Sequence, residues 1–197
     1  DSNHSASDKL LRLLTFVGAL KDAGAERVCV VAPYLAFARK ERRTNPGDPI
    51  TTRYVAGFFE AVGADAIVTA DVHNLPAFEN AFRCLKMHVE AAPLFADHFA
   101  RTLESARRPV VLAPDAGGMK RAQRFAQELG RRLAASVELA LMEKSRKGGR
   151  VGGEAFAGNG EGRDVLVVDE LISGGPTVAR AAEAATRRGA ASVHVAA

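Results

Sequence analysis

Val165-Leu-Val-Val-Asp-Glu-Leu-Ile-Ser-Gly-Gly-Pro-Thr177 is the stretch on which the fold turns. Four aliphatic residues bounded by polar punctuation predict a short buried parallel strand. The Ala-rich pattern from Val178 to Arg188 predicts the next helix. A parallel strand delivers its succeeding loop to the carboxyl edge of the sheet, where open α/β folds bind ligands. The turn between the two elements offers backbone N–H groups and hydroxyls at a helix N-terminus, which suits a phosphate. Asp169 and Glu170 stand directly before that turn. Carboxylates beside a phosphate cradle suit a ligand that also carries vicinal hydroxyls, such as a sugar phosphate.

The rest of the chain repeats the alternation of strand and helix. Strands are predicted at Arg27–Ala32, Ala66–Ala70, Val110–Ala113, Val137–Met142 and Ser192–Ala197. Helices are predicted from an Asp8 cap to Gly24, with Leu10, Leu11, Leu14, Val17 and Leu20 on one face, and over Ile50–Val62, Pro93–Glu104 and Lys120–Leu133. Residues 74–93 read as irregular with a short strand near Leu85, and Glu143–Gly153 as a polar, mobile, Gly-rich segment. The class is therefore α/β with mainly parallel sheets. The division between two lobes is expected near residues 90–95, giving domains 1–92 and 93–197.

Composition narrows the function classes. The net charge of +4 suits an anionic ligand, but the arginines are scattered and form no basic stripe, so nucleic acid is not an expected partner. No apolar run approaches the ~18 residues that span a bilayer, and no signal peptide opens the chain. No membrane partner and a cytoplasmic location are the expectation. Two cysteines are too few for a disulfide framework, and Cys29 in its apolar run reads as a buried thiol in a reducing compartment.

Three further loops come after predicted strands. Arg39-Lys-Glu-Arg-Arg43 is either a solvated loop or a cationic grip on polyphosphate, where Arg supplies a two-pronged donor. Asp71-Val-His73 is either structural or a sparse divalent-cation site; Mg²⁺ keeps several waters and needs few protein ligands. Pro114-Asp-Ala-Gly-Gly-Met-Lys-Arg121 is either a plain β-to-α turn or a second anion cradle at Gly117 and Gly118. Glu143-Lys-Ser-Arg-Lys-Gly-Gly-Arg150, further on, is either a surface loop or a closing lid. No Walker A sequence is present. Together these loops place phosphate- and metal-friendly groups at one edge of a parallel sheet.

Ala32-Pro-Tyr-Leu-Ala-Phe-Ala-Arg-Lys-Glu-Arg-Arg43, Thr69-Ala-Asp-Val-His73, Ala113-Pro-Asp-Ala-Gly-Gly-Met-Lys-Arg-Ala122 and Val165–Thr177 resemble, in order, the motifs of ribose-phosphate pyrophosphokinases (phosphoribosyl pyrophosphate synthetases). The resemblance covers essentially the whole chain, and the last motif is shared with type I phosphoribosyltransferases. It implies two similar phosphoribosyltransferase type I-like domains, with the chain truncated at both ends. It implies Mg²⁺-dependent transfer of the diphosphoryl group of ATP to the 1-hydroxyl of ribose 5-phosphate, giving phosphoribosyl pyrophosphate and AMP, in a homo-oligomer (dimer or hexamer). Carried over by motif, Arg39, Lys40 and Glu41 contact ATP, and His73 and Asp115 flank the metal. Lys144 and Arg146 are the catalytic lid cations. Asp115, Asp169, Glu170, Ser173, Gly174, Gly175, Pro176 and Thr177 bind ribose 5-phosphate. The chain departs from the family at Lys40-Glu41, at Glu170 in place of a second Asp, and at Pro176, which has no N–H to offer a phosphate. Two alternatives stay open: a non-catalytic regulatory homologue, and a phosphoribosyltransferase that consumes phosphoribosyl pyrophosphate.

Overall fold

A computed structural model describes residues 5–103, 108–147 and 150–197, with 143–147 and 150–155 described as backbone only. The chain divides into two compact units, Asp1–Glu90 and Ala91–Ala197.

In the first unit, helix α1 (Ala6–Asp22) begins at Ser5. The Ser5 hydroxyl accepts the Asp8 N–H at 3.1 Å and the Asp8 carboxylate accepts the Ser5 N–H at 3.3 Å. This reciprocal box satisfies two donors that a helix start leaves unpaired. The cap is therefore Ser5, and Asp8 is its partner three residues in. Strand β1 (Cys29–Val31), helix α2 (Thr51–Ala61), strand β2 (Ala66–Ala70), helix α3 (Leu75–Ala81) and strand β3 (Leu85–Val89) come next. The strands form a parallel sheet in the order β1-β2-β3, with Cys29 opposite Ala66 and Ala66 opposite Leu85. Val17 of α1, Val55 and Phe59 of α2 and Phe78 of α3 pack with Val28, Val30 and Ile67 in one core.

All three helices thus cover the same face of this sheet. Side chains alternate along a strand, so Val30 enters the core while Cys29 and Val31 face away from it. Cys29 is exposed, not buried as its apolar run suggests. Leu85, Met87 and Val89 share that exposure. Leu11 is also exposed, and Leu13 takes its expected place against the core. The segment read as irregular contains α3: Asn74 accepts the Ala77 N–H at 3.1 Å, and Pro76 falls in the first turn, where a proline is tolerated.

The second unit comprises α4 (Ala92–Thr102), β4 (Val110–Ala113), a 3₁₀ turn at Ala116–Gly118, α5 (Met119–Leu133), β5 (Glu138–Lys147), β6 (Arg150–Ala157), β7 (Asp164–Val168), α6 (Pro176–Arg187) and β8 (Ser192–Ala196). Its sheet runs β6-β5-β4-β7-β8. Only the β5–β6 pair is antiparallel. Both faces are covered here. Helices α4 and α5 bring Phe99, Phe125 and Leu129 against Val111, Leu166 and Val168, and α6 brings Val178, Ala181 and Ala185 against Val110, Leu112 and Val167. Strands β4 and β7 are buried along their whole length, which explains their uninterrupted aliphatic sequences.

Two further expectations are corrected in the strands and loops. The segment Glu143–Gly153, expected as a polar, mobile, Gly-rich stretch, is strand in its described residues: β5 continues through Lys147, and β6 pairs back on it with Leu141 opposite Ala157 and Lys147 opposite Arg150. The register shifts between Lys144 and Arg146, as at a bulge. The four strand-end loops also do not share one sheet edge. The Arg39 and Asp71–His73 loops come after β1 and β2 of the first sheet, whereas the Asp115 and Asp169 loops come after β4 and β7 of the second.

Candidate active site

In the second unit, the adjacent parallel strands β4 and β7 place Pro114–Gly118 and Asp169–Gly175 at the same carboxyl edge. The turn after β7 is shaped by Gly175, whose φ of 83° lies in the left-handed region that glycine enters freely. Pro176 then occupies the first turn of α6. The helix requires no N–H there, so the proline does not disturb it. It presents no donor to a ligand either, which leaves Ser173, Gly174, Gly175 and Thr177 to meet an anion. Ser173 and Gly174 are exposed at the mouth of this turn.

Asp169 is anchored through its N–H, which donates to the Ala196 carbonyl at 3.1 Å, and its Oδ1 accepts the Glu170 N–H at 2.8 Å. Burial pushes its carboxyl above the ordinary carboxylate range, and a hydrogen bond with the Glu170 side chain adds to this. Glu170 is itself engaged: its Oε2 lies 2.7 Å from Arg121 Nη1, with the two side chains 13% and 18% exposed. The acidic pair is therefore asymmetric. Asp169 stands half-buried at the strand end, and Glu170 is directed to the guanidinium from α5. The extra methylene of Glu gives it reach toward this partner. Replacing Arg121 with Met is expected to leave Glu170 without its cation and to cost about 1–3 kcal/mol of stability at neutral pH. Urea denaturation of R121M and of the double variant R121M/E170Q measures this, with the double variant recovering part of the loss.

Asp115 begins the 3₁₀ turn, and its Oδ1 accepts the Gly118 N–H at 3.1 Å. That N–H also faces the Asp115 carbonyl at 3.2 Å. Gly118 thus closes its own turn, and the expected anion cradle there is reduced to Gly117 and its neighbours. The turn is close-packed: a Cβ at Gly118 would sit 3.4 Å from the Pro114 ring. Lys144 and Arg146 lie on β5 in the hairpin with β6; their side chains fall outside the described residues.

In the first unit, Arg39 is exposed in the loop after β1. Thr51 and Thr52 at the start of α2 hold this loop, donating their hydroxyls to the Phe37 carbonyl at 3.1 and 3.3 Å. Lys40 has a local partner: its ammonium lies 2.9 Å from Asp48 Oδ2, which also accepts the N–H groups of Thr44 and Asn45. Lys40 therefore closes the 40–48 loop, while Glu41 is half-buried beside it. The hydrogen bond from Lys40, then those from Asn45 and Thr44, lower the Asp48 carboxyl from an ordinary 3.8 to about 2. A depressed carboxylate contributes stability above its unfolded pKa, and that contribution is lost as the pH falls through the folded value. Exchange of the Thr44 and Asn45 amides is accordingly expected to accelerate, relative to D48N, as the pH drops from 3.8 toward about 2.

The turn after β2 holds Asp71 at a φ of 40°, in the left-handed region that Asp tolerates better than most residues. His73 is exposed just beyond it. Two residues with side-chain partners at these loops, and a third beside them, were not singled out by the sequence: Arg121 is the second cation of a Lys-Arg pair, Asp48 ends an Asn-Pro-Gly-Asp turn, and His88, whose Nε2 accepts the Val72 N–H at 3.2 Å, sits in the segment read as irregular. Among the described residues, no three His, Cys, Asp or Glu side chains gather into a metal cluster. No described helix is long and apolar enough to cross a membrane.

Comparison with known proteins bears on both units. Residues 1–63 match the model of the N-terminal domain of ribose phosphate pyrophosphokinase, and residues 88–197 match that of the phosphoribosyl transferase domain. Ribose-phosphate pyrophosphokinase 1 of Streptococcus pyogenes is 33% identical over 191 residues, 95% of this chain and 58% of that protein. The namesake from Streptococcus mutans is 34% identical over 95% of this chain and 57% of its own length. The crystal structure of phosphoribosylpyrophosphate synthetase from Mycobacterium smegmatis superposes with a TM-score of 0.84 at 28% identity, covering 95% of this chain and 59% of that one. The chain thus spans less than three fifths of the length of these relatives.

Proposed function

Given that the chain belongs to the ribose-phosphate pyrophosphokinase family, we propose that the complete protein transfers the diphosphoryl group of ATP to ribose 5-phosphate. The 1-hydroxyl oxygen of the sugar attacks the β-phosphorus and the α–β bridging P–O bond breaks. AMP leaves with the bridging oxygen, the hydroxyl proton passes to solvent or a nearby base, and phosphoribosyl pyrophosphate forms. The observation that carries this reading is the Asp169 carboxylate, held half-buried before the N-terminus of α6. That arrangement can accept hydrogen bonds from ribose hydroxyls while the Ser173–Thr177 turn receives the 5-phosphate.

The remaining residues act by positioning and by neutralising charge, which is most of what phosphoryl-type transfer asks of a protein. Arg39, with Glu41 beside it, meets the ATP phosphates, and Lys40 shapes their loop through Asp48. Asp115 orients the sugar side of the site. Lys144 and Arg146 on the β5–β6 hairpin neutralise the transferring group. The hard carboxylate oxygens of Asp115 suit Mg²⁺, and in the first unit His73 is the residue that could meet a divalent cation directly or through water. When bound, Mg²⁺ would neutralise the triphosphate and hold it in line.

The test is to incubate the full-length protein with ATP, ribose 5-phosphate and Mg²⁺ and to measure AMP. Sugar-dependent AMP formation is expected, and its absence in a sample that binds both substrates would sink the reading. A second reading, a non-catalytic regulatory homologue, is favoured by one observation: Glu170 faces Arg121, which leaves only Asp169 of the adjacent acidic pair for the sugar. Activity of the isolated protein excludes it.

A further inference from the structure

We propose that His88 is a positioning residue for the Asp71–His73 turn, acting as a neutral imidazole that accepts a backbone hydrogen bond. His88 lies on β3 opposite Thr69 of β2, on the face away from exposed Leu85, Met87 and Val89. Its Nε2 lies 3.2 Å from the Val72 N–H. A backbone N–H can only donate, so Nε2 carries the lone pair and the ring proton sits on Nδ1.

The topology explains why a side chain is used here. The Asp71 N–H donates to the Val89 carbonyl at 3.0 Å, just past the last ladder pair, Ala70 with Val89. The chain then leaves the sheet through the left-handed Asp71. Val72 packs its side chain against the core of the first unit, and the hydrogen bond of its N–H lies in a part-buried setting. An N–H held there without an acceptor costs free energy. His88 supplies the acceptor. The turn is thereby fixed at three successive points: the Asp71 N–H, the Val72 N–H and the Val72 side chain. Asn74 then caps α3 directly after it. His73, between these fixed points, is presented to solvent in one backbone orientation.

The activity arm of the test rests on the pyrophosphokinase reading; the exchange arm does not. In full-length protein, the Val72 amide is monitored by hydrogen exchange in wild type, His88→Leu and His88→Gln. The glutamine Oε1 reaches about as far as Nε2 and can accept the same bond. Exchange at Val72 is expected to be about tenfold faster in the leucine variant and close to wild type in the glutamine variant, the loss of roughly one hydrogen bond. With ATP and ribose 5-phosphate, kcat is expected to fall on the order of 10- to 100-fold in His88→Leu, as for a small misplacement of a reacting group. The KM for ribose 5-phosphate should be unchanged, and His88→Gln should recover most of kcat. A merely structural role would lower the melting temperature of both variants without separating their kcat values. Equal Val72 exchange in wild type and His88→Leu overturns the proposal, as does equal kcat in the two variants. If wild type makes no AMP, the pyrophosphokinase reading falls, and the Val72 comparison alone decides the role of His88.

Discussion

Asp169→Asn is expected to lower kcat/KM for ribose 5-phosphate on the order of 10³-fold, because a site built to accept hydroxyl hydrogen bonds loses most of its discrimination when its acceptor becomes a partial donor. The amide keeps the shape of the carboxylate, and its oxygen can still accept, but its nitrogen presents protons to ribose hydroxyls that also carry protons. Glu170→Gln is expected to cost far less at the sugar, about tenfold or below, since that side chain faces Arg121 at 2.7 Å. The contrast between the two is the informative result. Equal losses would mean that both carboxylates face the sugar. A pH effect accompanies it. Burial and the Glu170 contact raise the Asp169 carboxyl, so the free protein holds its proton to higher pH than an ordinary Asp. A ligand that needs the ionised form must displace that proton. KM for ribose 5-phosphate should therefore rise as the pH falls through the acid range, and D169N should flatten that profile. Steady-state kinetics across pH with both variants measures this.

The second large effect is expected at the hairpin. Lys144→Ala and Arg146→Ala should each lower kcat about 10²–10³-fold with smaller changes in KM, as when a donor that acts mainly in the transition state is removed. The proposed mechanism has the two cations serve the same migrating charge, so the double variant should lose less than the product of the single losses. The backbone gives this a geometric basis. Lys144 pairs with Glu154 and Arg146 with Val151, on either side of the register shift. In a regular strand, residues two apart share a face, and the register shift falls between these two positions. Quenched-flow measurement of AMP in a single turnover separates the chemical step from product release. A variant that binds both substrates and reacts at the wild-type rate in that experiment would remove the hairpin cations from the mechanism.

Much of the fold could be read from the chain, for a physical reason that also marks where reading failed. Strands β4 and β7 and helices α5 and α6 lie within about two residues of their expected bounds, because full burial makes a strand uniformly aliphatic and an amphipathic helix strongly periodic. Helix α3 was hidden by its length and by Pro76, which looks like a breaker but sits in the first turn behind the Asn74 cap. Strand β6 was hidden because Arg150, Gly152 and Gly153 carry little strand signal, and its pairing with β5 supplies what local sequence does not. The exposure of Cys29 escaped prediction because burial depends on what covers a face, and one strand carries no information about that. The motifs marked the loops at the strand ends. They could not reveal that Glu170 pairs with a residue 49 positions away, or that Lys40 turns to Asp48. Such pairings are set by how the elements pack.

The most direct test of the central claim is a crystal structure of the protein with ribose 5-phosphate. The account predicts the 5-phosphate over the Ser173–Thr177 turn, receiving N–H groups from its glycines and Thr177 but none from Pro176, with a sugar hydroxyl on Asp169 and Glu170 still held by Arg121. A phosphate bound away from that turn, or a sugar with no contact to Asp169, would contradict it.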